Sequence, residues 1–325
     1  MSAQARLEAE LILAVDAGGT KTAACLARPT TSIDFDVLGR GRSGGANPLS
    51  IGIQRAVESI LAAVDEARCA AGMTEAVADR AVLSVAGAAD VAVADELLNH
   101  LRTARLAQQY AIVSDVLPIL AIALDGGTGI ALIAGTGSVA IGEHAGRQIR
   151  CGGWGYLLGD DGSGYSIGRA ALRTALEDLE GGCDSLRPVT QAIVDAMRVD
   201  SLSELTKAIY SSANPRSVIA SFAETVATIA DAGDPVARQI LDDAARDLAT
   251  LVQRTARYLS LETIEFPLAM GGGVLAGSQY LRDALQQQLR TRQLTCRVRL
   301  VIDPLAGCLI LAMMEHSGSG MLRWS

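Results

Sequence analysis

The chain has 325 residues (33.7 kDa), half of them hydrophobic but only 3% aromatic, and a formal net charge of −8. That length suffices for two domains, because single cores stop growing near about 250–300 residues, and the core must be aliphatic, as in helix-covered α/β folds. An acidic chain without a basic block argues against nucleic acid and against an anionic membrane surface.

In chain order, the first signal is LILAVDAGGTKTAACLA, residues 11–27, an apolar run broken by Asp16, Gly18, Gly19, Thr20 and Lys21. It is not a Walker A loop, which opens a helix and sets a Gly directly before its Lys. It reads as strand–turn–strand. Gly18 and Gly19 are expected to take positive φ and aim backbone N–H groups at an anion; the plainer alternative is a Gly-rich hairpin with Asp16 as a turn residue. Residues 49–71 predict a helix stopped by Gly72, 81–86 a strand, 95–104 a helix, and 111–113 a strand ending at Ser114-Asp115. Residues 116–124 predict a buried helix with Pro118 in its first turn, and Asp125-Gly126-Gly127 a domain boundary.

GIALIAGTGSVAIGE, residues 129–143, echoes the first hairpin, which suggests a duplicated architecture. CGGWGYLLGDDGSGYSIG, residues 151–168, is the most specific stretch. Asp160, Asp161 or Ser163 caps the helix that follows, but so bare a backbone also lets a ligand approach. Further helices are expected at 165–180, 235–260 and 305–315, strands at 266–270 and 297–302, and a loose tail at 317–325. The first ten residues do not resemble a signal peptide, and no apolar run approaches the ~18 residues of a membrane span. Six cysteines without a CxxC pair suggest a reducing compartment, so a cytoplasmic protein is expected. Cys25, Cys69, Cys183, Cys296 and Cys308 read as small core residues, His100, His144 and His316 as surface or structural, and Glu177–Glu180 as a solvated helix face.

D-A-G-G-T-K-T, A-G-T-G-S, G-G-W-G-x-L-L-G-D-D-G-S-G-Y and P-L-A-G-C-L-I-L-A, in this order, resemble the N-acetylglucosamine kinase family. That family belongs to the acetate-and-sugar-kinase, chaperone and actin superfamily, beside the ATPase activators of benzoyl-CoA-reductase type. The resemblance implies an α/β chain of two ribonuclease-H-like domains, 1–125 and 126–304, with an interdomain cleft and hinge, and a C-terminal segment, 305–325, packing back on the first. It implies ATP and Mg2+ as cofactors, and as partners an amino sugar and a second copy in a homodimer. Asp16 would hold the magnesium ion. Gly18, Gly19, Thr20, Lys21 and Thr136 would meet the phosphates, and Gly271, Gly272 and Ala220 the adenosine. Asp115 would be the base, against the alternative of a helix N-cap. Asn47, Gly137, Cys151, Gly153, Trp154, Gly155 and Asp160 would contact the sugar, with Cys151 against an N-acetyl methyl; for Asn47 a loop Asx-turn is the alternative. The family's G-D-E-G-S becomes Gly159-Asp160-Asp161-Gly162-Ser163 here, which leaves the role of Asp161 open.

The function implied is phosphorylation of an amino sugar, N-acetylglucosamine at its 6-hydroxyl or glucosamine. An ATPase subunit driving an electron-transfer partner is the rival from another class, and the scattered cysteines argue against it. A sugar-responsive transcription regulator would need a helix-turn-helix ahead of the first hairpin, where about ten residues are too few.

Overall fold

The computed structural model describes residues 10–31, 33–88, 90–182 and 185–314. They fall into two compact units, residues 10–122 with 303–314, and residues 123–302. The switches lie a few residues before the expected ones at 125/126 and 304/305. Cys183, His316 and the tail lie outside the described residues.

The first unit runs β1 (Ile12–Ala17), β2 (Lys21–Pro29), β3 (Phe35–Gly44), α1 (Pro48–Ile51), α2 (Ile53–Ala70), β4 (Ala78–Val85), α3 (Val91–Thr103), β5 (Ala107–Val113) and α4 (Leu117–Ala123). Its sheet has the order β3-β2-β1-β4-β5, with β1–β2–β3 antiparallel and β4 and β5 parallel to β1. Central β1 is covered on both faces, so it reads as an unbroken apolar run. Leu11, Leu13, Val15 and Ala17 join one core with residues of α2 and α3. Ile12 and Ala14 join the opposite core with Val82, Ala111, Val113 and the C-terminal helix, Leu305–Met313. The helix expected over 49–71 is broken at Gly52, whose φ of +84° an α-helix cannot hold.

The second unit runs β6 (Gly129–Ala134), β7 (Ser138–His144), β8 (Arg147–Gly152), α5 (Gly164–Glu180), α6 (Pro188–Met197), α7 (Leu202–Tyr210), α8 (Pro215–Asp231), α9 (Pro235–Tyr258), β9 (Phe266–Gly271), α10 (Gly273–Gly277), α11 (Gln279–Thr291) and β10 (Cys296–Leu300). Its sheet order, β10-β9-β6-β7-β8, repeats the first: an antiparallel meander with two parallel strands on its far side. The echo between the two hairpins is therefore an echo between two whole sheets. One large core joins β6, β7, β8 and β9 to the helices.

Helix α5 starts at its N-cap Ser163, whose Oγ accepts from the Ser166 N–H. Its last turn is not a wholly solvated face: Asp178 is buried and accepts hydrogen bonds from Thr190 and from Arg187 Nε. Helix α5 crosses α8 so closely that a Cβ at Gly168 would lie 1.8 Å from the Ile219 carbonyl oxygen. Alanine there gains about 1 kcal/mol of helix propensity, but overpacking against backbone costs about 1–3 kcal/mol or more. Gly168→Ala is therefore expected to lower stability in urea unfolding; an unchanged or higher midpoint would contradict this crossing.

Of the cysteines described, Cys25, Cys151 and Cys308 are buried, Cys296 is half-buried and Cys69 is exposed. Cys69 is thus a correction: it sits near the end of α2, away from that helix's buried residues. No described helix is long and apolar enough to cross a membrane.

Candidate active site

In the first unit the candidate residues collect at the carboxyl ends of β1, β4 and β5. Alternation along a strand decides where they point. Ile12, Ala14 and Asp16 share one side of β1; Val82 and Ser84 share it on β4; Ala111 and Val113 share it on β5, and Asp115 follows in the same parity. Asp16 thus emerges from an apolar face as its first polar residue. Ser84, its register partner on β4, donates Oγ–H to Asp16 Oδ1 at 3.2 Å. Burial raises the Asp16 carboxyl from 3.8 to about 6; the Ser84 hydrogen bond opposes this, the charges of Asp115 and Asp303 add to it, and Lys21 opposes it. Asp303 caps the C-terminal helix by accepting the Leu305 N–H, and pairs with Arg40 on β3 at 2.6 Å.

The Asp16 hairpin is closed by the Gly18 N–H donating to the Lys21 carbonyl at 2.9 Å. Gly18 and Gly19 do not adopt the left-handed conformation expected of them. Bareness here serves close approach instead: the Ala46 N–H donates to the Gly18 carbonyl, and Gly45 sits directly on the Gly19 backbone. Thr20 and Lys21 are exposed beyond it. The next residue of that bracing loop, Asn47, accepts the Leu49 N–H on Oδ1 at 3.0 Å and N-caps α1. The Asx-turn alternative is therefore realised for its oxygen.

In the second unit the turn 135–137 and the turn after β9 are neighbours, because β6 and β9 are parallel partners with Ile133 opposite Gly271. Gly272, at φ +93°, has its Cα against the Ala134 carbonyl, where a Cβ would come within 2.3 Å. The start of α5 is tied to the same turn: the Gly164 and Tyr165 N–H groups donate to the carbonyls of Gly135 and Thr136. Ala220 lies on α8 near Gly164. Asp160 is buried at φ +63°, and accepts the Ser138 N–H on Oδ1 and Arg216 Nη2 on Oδ2 at 2.9 Å. Gly137 is a glycine because a Cβ would stand 2.9–3.0 Å from that carboxylate. Gly153 and Gly155 are left-handed, and between them Trp154 is 68% exposed. Cys151 lies in the aliphatic core at 2% exposure.

Three residues of these clusters were not singled out from the sequence: Ser84, Asp303 and Arg216. Ser84 and Asp303 could have been found once β1 and β4 were paired and the C-terminal helix placed. Arg216 carries a weaker signal, a cation in the first turn of a helix, where the macrodipole disfavours it.

Two sheets of identical order, each opening on a glycine hairpin, define the two-domain, actin-like α/β fold of sugar kinases. Residues 13–312 match the BadF/BadG/BcrA/BcrD ATPase family, and the chain belongs to it. It is 27% identical to the N-acetylmuramic acid/N-acetylglucosamine kinase of Clostridium acetobutylicum, over 94% of this chain and 98% of that one. It is 28% identical to the N-acetyl-D-glucosamine kinase of Dictyostelium discoideum, again over 94% and 98%. A solved Chromobacterium violaceum structure, provisionally assigned as an N-acetylglucosamine kinase, superposes with a TM-score of 0.76 at 26% identity, covering 94% of this chain and 99% of that one.

Proposed function

We propose that the chain is an ATP-dependent kinase that phosphorylates an amino sugar, with N-acetylglucosamine as the substrate and its 6-hydroxyl as the acceptor. The observation that carries this reading is the placement of Asp16 and Asp115 at the carboxyl ends of β1 and β5, on either side of β4 in one sheet and close enough for one charge to act on the other. Phosphoryl transfer asks a protein for positioning and charge neutralisation, plus one group to orient the nucleophile. The names of the full-length relatives support the sugar as acceptor.

Asp115, exposed after β5, is the base: its carboxylate accepts the proton of the sugar hydroxyl as that oxygen attacks the γ-phosphorus. Gly18, Gly19, Thr20, Lys21 and Thr136 are the proposed phosphate contacts, and Gly271, Gly272 and Ala220 the proposed adenosine contacts. A magnesium ion bound with the nucleotide would neutralise its phosphate charge. Asp16 fits such an ion, being a strand-end carboxylate whose anionic form burial and the charges of Asp115 and Asp303 disfavour until a cation offsets them. No cluster of three or more His, Cys, Asp or Glu suited to a metal occurs among the described residues. Magnesium keeps several waters and takes one or two carboxylates plus substrate phosphates, a role a single carboxylate such as Asp16 can fill.

On the sugar side we assign Asn47, Gly137, Cys151, Gly153, Trp154, Gly155 and Asp160. Asn47 would act through its amide nitrogen, since its oxygen caps α1. An apolar seat at Cys151 favours an acetyl methyl, worth about 1 kcal/mol, over the ammonium of glucosamine, which is costly to desolvate there. The test is ADP release with N-acetylglucosamine, N-acetylmuramic acid, glucosamine and glucose. The highest kcat/KM is expected for an acetylated amino sugar; glucosamine better by tenfold or more would overturn the acetyl seat.

A further inference from the structure

We propose that Arg216 is a positioning residue for the sugar site, holding Asp160 as an oriented hydrogen-bond acceptor. This rests on the sugar-kinase reading and deepens it. Four observations converge on the side chain. Its Nη2 meets Asp160 Oδ2 at 2.9 Å, and the Asp160 side chain is only 3% exposed. The other carboxylate oxygen is held by the Ser138 N–H at 3.3 Å. The guanidinium stands over the Tyr156 ring, 5.4 Å from its centroid, and Tyr156 packs edge-to-face on Tyr165 at 5.1 Å. Its Nε is buried and has no hydrogen-bond partner among the described residues.

The chemistry follows from these contacts. A carboxylate this buried is stable as an anion only with a charged partner. With one donor on each oxygen, Asp160 keeps a further acceptor lone pair on each, and the two anchors fix the plane of the carboxylate. Arginine suits the task better than lysine, because a flat cation can lie on an aromatic ring and present an N–H edge at the same time. Position 216 is otherwise a poor place for it: it follows Pro215 in the first turn of α8, where the helix dipole repels a cation. A residue that breaks a local rule and is then pinned on two sides is held for what it holds.

The experiment is steady-state kinetics on wild type, Arg216→Met, Arg216→Lys, Asp160→Asn and the double variant Asp160→Asn/Arg216→Met, with circular dichroism of each. Arg216→Met is expected to raise KM for the sugar at least tenfold, with kcat within about threefold and KM for ATP unchanged, and Arg216→Lys to recover part of the loss. The double variant should be no worse than Asp160→Asn alone, because Arg216 acts only through that carboxylate. It also removes the buried charge, so it stays informative if Arg216→Met does not fold. An unchanged sugar KM in folded Arg216→Met, or losses that multiply in the double variant, would overturn the proposal and leave the kinase reading intact. Wild type with no sugar-dependent turnover would overturn both.

Discussion

Asp115→Asn is expected to lower kcat by about 10²–10⁴, the range lost with a positioned acid–base group, while leaving the fold and ATP affinity intact. The side chain is exposed in the turn between β5 and α4, and asparagine keeps its shape and one acceptor oxygen. The choice of asparagine is deliberate. If Asp115 served only to cap α4, asparagine would cap it as well, and both turnover and stability would stay near wild type. A base loses its proton acceptor, and turnover falls at constant stability. Stopped-flow or coupled ADP release, read beside a urea titration of the same sample, separates the two outcomes. Near-normal kcat in the folded variant would remove the base.

Asp16→Asn is expected to inactivate and to stabilise. The sign follows from the direction of the shift. The carboxyl is raised from 3.8 to about 6, chiefly by burial. The folded protein therefore binds its proton more tightly than the unfolded chain does. The stability this group provides is full below about pH 4 and is lost as pH rises through 6. At neutral pH without magnesium, the folded state carries a penalty of about 3 kcal/mol, the free-energy equivalent of that displacement. Asparagine keeps an oxygen for the Ser84 hydroxyl and removes the charge. In metal-free buffer Asp16→Asn should gain up to about 3 kcal/mol at pH 7.5 and nothing at pH 4. With ATP and magnesium it should lose roughly 10²-fold or more in kcat/KM, since a metal contact is worth several kcal/mol. A variant less stable than wild type at both pH values would contradict the burial of Asp16; a fully active one would contradict its assignment to magnesium.

The parts of this fold that could be read in the sequence are those governed by local periodicity and turn chemistry. The hairpins at 18–21 and 135–137 announce themselves because glycines interrupt runs apolar enough to be buried on both faces. The carboxylates at strand ends are visible for the same reason, since Asp16 and Asp115 each stand where such a run stops. Tertiary pairing was not visible. Glu177–Glu180 reads as a charged surface, yet Asp178 is buried because Arg187 and Thr190, from beyond α5, supply its donors. Gly18 and Gly19 looked like left-handed residues, yet their lack of side chains is used for contact with Gly45 and Ala46. The break at Gly52 was hidden because apolar periodicity runs across it. Helices α6, α7, α10 and α11 and strands β3 and β8 were not legible, and α8 was legible only as a helix around Ala220, without Arg216, which reaches Asp160 across 56 positions of sequence.

The most direct test follows the phosphoryl group itself. The protein is incubated with ATP labelled at the γ-phosphate, magnesium and N-acetylglucosamine, and the label is traced by mass spectrometry. The expected result is label on the sugar, in proportion to ADP formed, with the phosphorylated position at the 6-oxygen and little label released to water. Label appearing as inorganic phosphate at a rate independent of any sugar would contradict a kinase and favour an ATPase that drives a partner protein.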